Sequence, residues 1–401
     1  MKLIQRAIVI AALLICAGTS YAQPYQIVGS ETTAVAAGLQ KTVTTVQVGN
    51  HPLDRFLVSR VTKTGQGQPH RGTLLLLPPL GSGFQNFEVG DGGDYGKSFA
   101  GFFARRGFDV WGYSQRVQGL TAGTCESGAA DCSAMAGWGM QTIVNDVAFI
   151  RQRIELAHPG ERPVVGGLSL GSMASVAVIN SAPQDYAGAI LLEGTLYTVN
   201  PETRAINAGF CAAFDTLLAA GVFYDGQQGP AFKLLSHLAR TAPNDPTPLP
   251  GFPPGFTNHR AWVAAMTAPP VGPITPRPGY FFLAGSVAED RFFYADEALV
   301  YANTAGFVDY MAIRTIRDLS CSLAGARTFT DNLGSFGGPV LMIAGGHGFG
   351  PEMLDTRELL TNASVTVNYV EEYGHVDHVF SNKHLQEVEH PVLAWLLHEV
   401  P

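Results

Sequence analysis

One string in the chain has the residue types and spacing of a nucleophile: Gly167-Leu168-Ser169-Leu170-Gly171, its only Gly-x-Ser-x-Gly. A serine hydroxyl attacks poorly until a base takes its proton and N–H donors hold the oxygen that becomes negative. The string directly follows apolar Val164 to Gly167 and directly precedes small and branched residues from Ser172 to Ile179. That is the strand–turn–helix setting in which such a serine is presented above a sheet. The turn is crowded, and glycines two residues to either side let strand and helix approach. An ordinary glycine-rich turn does not account for that setting.

The other parts of a hydrolytic site are sought at the same edge. Gly374-His375 follows the apolar run Val365 to Val370 and is the expected base, with His378 and His347 as competitors. The loop after Val340 to Ala344, where an orienting acid is usual, reads Gly345-Gly346-His347-Gly348 and holds no carboxylate. Glu193 closes Leu191-Leu192-Glu193-Gly194 beside the nucleophile's strand and is the preferred acid, with Glu352 and Asp355 as alternatives. The chain order Ser169, Glu193, His375 agrees with this reading. Two oxyanion donors are expected, the backbone N–H groups of Leu170 and Leu80. In Pro78-Pro79-Leu80-Gly81-Ser82-Gly83, Pro79 has no N–H to offer.

Positioning these residues requires a sheet. Val43 to Val48 and Phe56 to Thr62 alternate like half-exposed strands, whereas Thr73 to Leu77 is a continuous apolar run suited to burial on both faces. Asp109 to Gly112, Val164 to Leu168, Ala189 to Leu192, Val340 to Ala344 and Val365 to Val370 are read in the same way. After Trp138, Ile143, Val147, Ile150 and Ile154 recur at helical spacing until Pro159 and Gly160 end the pattern. The expected fold is α/β, a mostly parallel eight-stranded sheet with helices on both faces. The core comprises residues 23–194 and 338–401, with a mainly helical cap inserted at 195–337. Within it, helices are expected around Ala205 to Leu218 and Asp296 to Ile316, flanking a Pro-rich span from Pro243 to Pro278.

Composition sets the boundaries. The 401 residues are 46% hydrophobic and 14% charged, which excludes a disordered tail or a coiled coil. A formal charge of -8 with no basic run speaks against a nucleic-acid partner. Lys2 and Arg6 precede an apolar stretch from Ala7 to Ala17, and Ser20-Tyr21-Ala22 has the small residues of a cleavage site. We expect residues 1–22 to be a signal peptide cleaved after Ala22, giving a secreted or periplasmic protein. The apolar stretch falls short of the roughly 20 residues needed to span a bilayer. Cleavage removes Cys16 and leaves Cys125, Cys132, Cys211 and Cys321, paired in sequence order as two disulfides. No Cys-x-x-Cys spacing suggests zinc, and neither a metal nor a cofactor is expected.

Three segments resemble the acid lipases of the gastric and lysosomal type, within the α/β-hydrolase fold: Leu77 to Leu80, Gly107-Phe108-Asp109-Val110-Trp111 and Gly374-His375-Val376-Asp377. The resemblance covers the core, residues 70–195 and 338–400, and implies a lipid-like or small-molecule ester as substrate. Two positions depart from the family: its His-Gly before the oxyanion donor is Pro78-Pro79, and its catalytic aspartate is Gly348. Some haloalkane dehalogenases, similar in fold, carry a glutamate where Glu193 stands, although their nucleophile is an aspartate. The expected activity is a serine esterase acting through an acyl-enzyme. Alternatives are a thioesterase or amidase with the same triad, or a non-catalytic binding protein on a degenerate hydrolase fold.

Overall fold

The computed structural model describes residues 24–65, 69–268 and 279–400. The expected signal peptide lies outside the described residues. Among the described residues thirteen strands are formed: β1 (Tyr25–Ala36), β2 (Leu39–Val48), β3 (Arg55–Lys63), β4 (Thr73–Leu77), β5 (Asp109–Ser114), β6 (Val164–Leu168), β7 (Gly188–Leu192), β8 (Tyr224–Asp225), β9 (Gly285–Ser286), β10 (Arg291–Phe292), β11 (Met311–Ala312), β12 (Val340–Gly345) and β13 (Val365–Val370). Nine make the main sheet, in the order β1-β2-β3-β5-β4-β6-β7-β12-β13. From β5 to β13 neighbouring strands are parallel, and the first three join antiparallel.

The sheet has nine strands where eight were expected. The additional one is β1, exposed at nine of its twelve positions, Ile27 and Val28 among them. It pairs only with β2, so no apolar alternation marks it. β13 also differs from expectation: at the other edge of the sheet it is half-exposed, not buried on both faces.

The central strands are buried because both faces are covered. Leu75, Leu77, Val165, Leu191 and Met342 face one layer, which contains the helices Met140–Ala157 and Leu170–Ser181. Leu74, Leu76, Ile190, Leu192, Leu341 and Ile343 face the other, against the helices Phe99–Arg105 and His390–His398. Successive side chains point to opposite faces of a strand, so a run apolar at every position is what two covered faces require. Each such leucine contributes about 1.5–3 kcal/mol on burial.

The chain leaves the sheet after Leu192 and rejoins it at Val340. In between lie helices Pro201–Ala219, Gln228–Thr241, Asn258–Thr267, Glu297–Thr304 and Ile313–Leu323, with β8 pairing β11 and β9 pairing β10. The helical stretch expected over Asp296 to Ile316 is two helices, interrupted by Ala305 to Tyr310 and β11. The Pro-rich span contains the helix Asn258–Thr267, whose Trp262 is wholly buried at the centre of a second core. Cys125 is bonded to Cys132, and Cys211 to Cys321. The second bond joins the helices Pro201–Ala219 and Ile313–Leu323 across 110 residues, a closure worth about 4–5 kcal/mol.

Candidate active site

Ser169 directly follows β6 and caps the helix Leu170–Ser181, with φ 57° and ψ −117°. This is strained backbone for a residue with a Cβ, and the neighbouring strands hold it there. Ser169 N–H donates to the Leu192 carbonyl at 2.9 Å. A Cβ on either Gly167 or Gly171 would overlap the Leu77 carbonyl, so both glycines are demanded by the end of β4. A Cβ on Gly194 would overlap the Ser169 carbonyl in the same way.

His375 lies in the loop after β13, with its Nε2 2.8 Å from Ser169 Oγ. Its Nδ1 is 3.2 Å from Glu193 Oε2. The ring is sandwiched by aromatic groups: it stacks on Phe281 at 5.2 Å and meets Phe349 edge-on at 5.0 Å. His375 N–H and Val376 N–H donate to the carbonyls of Phe281 and Phe282, at 2.6 and 2.8 Å. The inserted segment thus pairs with the histidine loop. Those two carbonyls lie 2.6 and 2.9 Å from where a Cβ on Gly374 would stand, so the position is closed to any side chain.

Glu193 is fully buried and, like Ser169, has a positive φ, 49°. Its carboxylate accepts from Gly345 N–H, and from Phe349 N–H at 2.7 Å. Burial pushes its pKa up, while the hydrogen bond and charge of His375 and the two backbone N–H groups oppose that shift. The carboxylate occupies the space over Gly348, where a Cβ would overlap Oε2 and lie 2.9 Å from His375 Cα. The position left without a carboxylate in sequence is therefore filled from the neighbouring strand.

The competing residues are elsewhere. Asp355 accepts from Thr198 Oγ1 and Val199 N–H, at 2.7 and 2.8 Å, holding the chain as it leaves the sheet. Glu352 accepts from Thr203 Oγ1 at 3.4 Å. His347 packs against the Tyr280 ring at 4.3 Å. His378 stands behind the acid, Nε2 3.9 Å from Glu193 Oε1, with neither ring nitrogen hydrogen-bonded among the described residues. Burial, and secondarily His375, hold its pKa down to about 3, so the ring is neutral.

Asp377 escaped the sequence reading as more than part of a motif. It is buried, and its Oδ2 accepts from Gly374 N–H at 2.7 Å and Ala284 N–H at 2.8 Å, bracing the histidine loop against the insert. Burial pushes its pKa up to about 7. A carboxylate two residues after the histidine was the available signal.

Leu170 opens its helix, so its N–H has no intrahelical acceptor. Among the described residues neither it nor the Leu80 N–H has a hydrogen-bond partner. The loop carrying Leu80 is pinned by Gln115 Nε2 donating to the Pro79 carbonyl, 3.2 Å, and by Val308 N–H donating to the Gly81 carbonyl, 2.8 Å. A half-buried hydroxyl facing an imidazole, with a buried carboxylate on the ring's other nitrogen, can transfer a proton and attack an acyl carbon.

No family model matches the chain, and no curated protein matches it in sequence. Solved structures do. A provisionally assigned lipase from Sulfolobus solfataricus superposes with a TM-score of 0.65 at 20% identity, over 93% of this chain and 99% of that one. A highly thermostable carboxyl esterase from Bacillus coagulans, solved with glycerol, gives 0.54 at 14% identity, over 91% and 99%. At such identities the likeness speaks for architecture, and with the parallel sheet, the strained serine turn and the covering helices, it shows that this chain has the α/β-hydrolase fold.

Proposed function

We propose that this protein is an exported serine hydrolase that cleaves carboxylic esters through an acyl-enzyme. The observation that carries this is the continuous line from Ser169 Oγ to His375 Nε2, 2.8 Å, and from His375 Nδ1 to Glu193, 3.2 Å, built on a serine at φ 57°. His375 takes the hydroxyl proton as Ser169 Oγ bonds to the acyl carbon. Glu193 holds the imidazole in its tautomer and stabilises the imidazolium. The N–H groups of Leu80 and Leu170 receive the oxyanion, the imidazolium protonates the leaving alcohol, and water then releases the acid by the same steps reversed.

An apolar acyl group suits the aromatic wall of Phe281, Phe282 and Phe349 at the imidazole. Residues 195–337 act as the cap over it. The three segments resembling acid lipases and the ester-cleaving neighbours in fold favour esters over thioesters or amides. Glu193 in the space over Gly348 weighs against a non-catalytic binding role, whose motive was the missing carboxylate there. The paired cysteines and the Lys2 to Ala22 segment support export.

The test is a fluorophosphonate label mapped by mass spectrometry, alongside hydrolysis of nitrophenyl esters of increasing acyl length. Label on Ser169, absent in Ser169→Ala, with turnover lowered by about a millionfold in that variant, is the expected result. A folded protein that takes no label and turns over no ester would sink the proposal.

A further inference from the structure

The Glu193 carboxylate has room for one more donor. Its two oxygens offer about four lone-pair sites. Among the described residues Oε2 accepts twice, from Phe349 N–H at 2.7 Å and from His375 Nδ1–H at 3.2 Å, whereas Oε1 accepts once, from Gly345 N–H. Beside Oε1 stands His378, its Nε2 3.9 Å away and its side chain fully buried. At that separation the contact is electrostatic, and a shift of about 1 Å makes it a hydrogen bond.

Other histidines of the molecule meet their carboxylates in full contact. His384 Nδ1 is 2.7 Å from Glu389, and before β6, at the opposite end of the strands, His70 Nε2 is 2.6 Å from Glu161, with the His158 ring stacked on that of His70. His378 instead has neither ring nitrogen hydrogen-bonded among the described residues. It packs edge-on to Tyr373 at 5.1 Å, on the turn Asp377–Phe380 that Asp377 fastens to Gly374 N–H and Ala284 N–H. A phenyl ring would fill the same space without burying two unpaired nitrogens. Burial keeps the imidazole neutral, so it carries one N–H, and the carboxylate, which only accepts, draws that proton to Nε2.

We propose that His378 is a positioning residue for the triad: it aims its Nε2–H at Glu193 Oε1 and keeps that carboxylate ionised, so that Glu193 holds His375 ready to accept the serine proton. The inference rests on the triad reading above. His378 gives up no proton; it supplies a fixed dipole to a charge that burial disfavours. The titratable groups packed around the pair are engaged with others: Asp377 with the two N–H groups, Tyr373 with Ser381 and Glu387, Glu352 with Thr203, Glu389 with His384, and Glu297 with His259. Asp377 and Glu193 repel each other, which adds to the need for a donor. Removing that donor makes the carboxylate more basic. Glu193 and His375 then take up their first shared proton at higher pH, whichever of them holds it. Attack requires a neutral His375, so the acid limb of activity moves up with it.

The experiment compares His378→Phe and His378→Leu, which lack the donor, with His378→Gln, which restores one, in the full protein. Two quantities are followed against pH: kcat/KM on 4-nitrophenyl butyrate, and the His375 ring by NMR of histidine-labelled protein. In the Phe and Leu variants the acid limb and the His375 titration should both rise by about one pH unit, a loss of up to about tenfold below the limb that recovers above it. His378→Gln should return both toward wild type. Asp377 is common to all variants, so a difference between Phe and Gln reports the donor. An equal loss at every pH, with the His375 titration unmoved, would reduce His378 to packing and overturn the proposal. The wild type gives a check that needs no variant to fold: the nitrogen shifts of His378 should show the proton on Nε2 and a ring neutral down to about pH 5. A proton on Nδ1 would overturn the proposal outright. Both NMR readouts are independent of turnover, so a protein that takes no label at Ser169 would sink the ester reading while the His378–Glu193 contact is still decided.

Discussion

The two ends of the parallel sheet each carry an imidazole–carboxylate pair, and they are held differently. At the C-terminal end Glu193 and His375 are 0% and 3% exposed, and Glu193 draws its hydrogen bonds from Gly345, Phe349 and the ring itself. At the N-terminal end the side chains of His158 and Glu161 keep 23% and 21% of their exposure. A desolvated carboxylate has only the protein to satisfy it, so each partner matters and the geometry is rigid. A solvated pair exchanges a partner for water at less than about 1 kcal/mol. Burial therefore suits the end where the proposed proton transfer needs a fixed line, and partial exposure suits a pair that only ties two segments of chain together.

The strongest way to break this contrast is Glu193→Gln. The amide keeps the size of the carboxylate but must aim its NH2 at a donor, and kcat should fall by about 10⁴-fold. Glu352→Gln and Asp355→Asn should leave kcat within a fewfold of wild type in steady-state assays. An equal loss in either would relocate the acid.

Gly348→Ala comes next. The added Cβ overlaps Glu193 Oε2 and crowds His375 Cα, so displacement of the line by a fraction of an ångström should lower kcat by about 100-fold. Circular dichroism should show the fold retained.

A third pair sharpens the comparison through pH. His384 is buried between Glu389, 2.7 Å, and Asp91, 3.0 Å. Burial lowers its pKa, but the hydrogen bonds and charges of Glu389 and Asp91 prevail and raise it to about 9. Because the folded value lies above the unfolded 6.5, its stabilisation is complete below pH 6.5 and is lost as pH rises through about 9. The wild-type Tm should carry this decline between pH 6.5 and 9, and His384→Gln should remove it.

The smallest effect is expected at the exposed end. His70→Ala should change unfolding free energy by less than about 1 kcal/mol. A loss several times larger in urea titrations would erase the distinction between the two ends.

The central strands were legible in sequence because their composition answers to burial: Thr73 to Leu77 is apolar throughout and lies between two helical layers. β1 was not, since a strand paired on one side and exposed along its length carries no apolar rhythm. Ser169 and His375 were legible from the elements that present them. Glu193 was identified as a candidate by its place after β7, but Glu352 and Asp355 stood beside it until the fold separated them. The His70–Glu161 pairing, 91 residues apart, left no local spacing to read.

What the sequence by itself determined is whatever neighbouring residues settle among themselves: the apolar strands, the helix after Trp138, and the glycine-flanked turn at Ser169. The tertiary structure alone decided that Glu193 reaches across 152 residues to Gly345 N–H and fills the space over Gly348, and that Phe281 and Phe282 lay their carbonyls on Gly374. Local periodicity is set by steric and burial demands along one element. Contacts between distant segments depend on strand order and register, which emerge only when every layer packs at once.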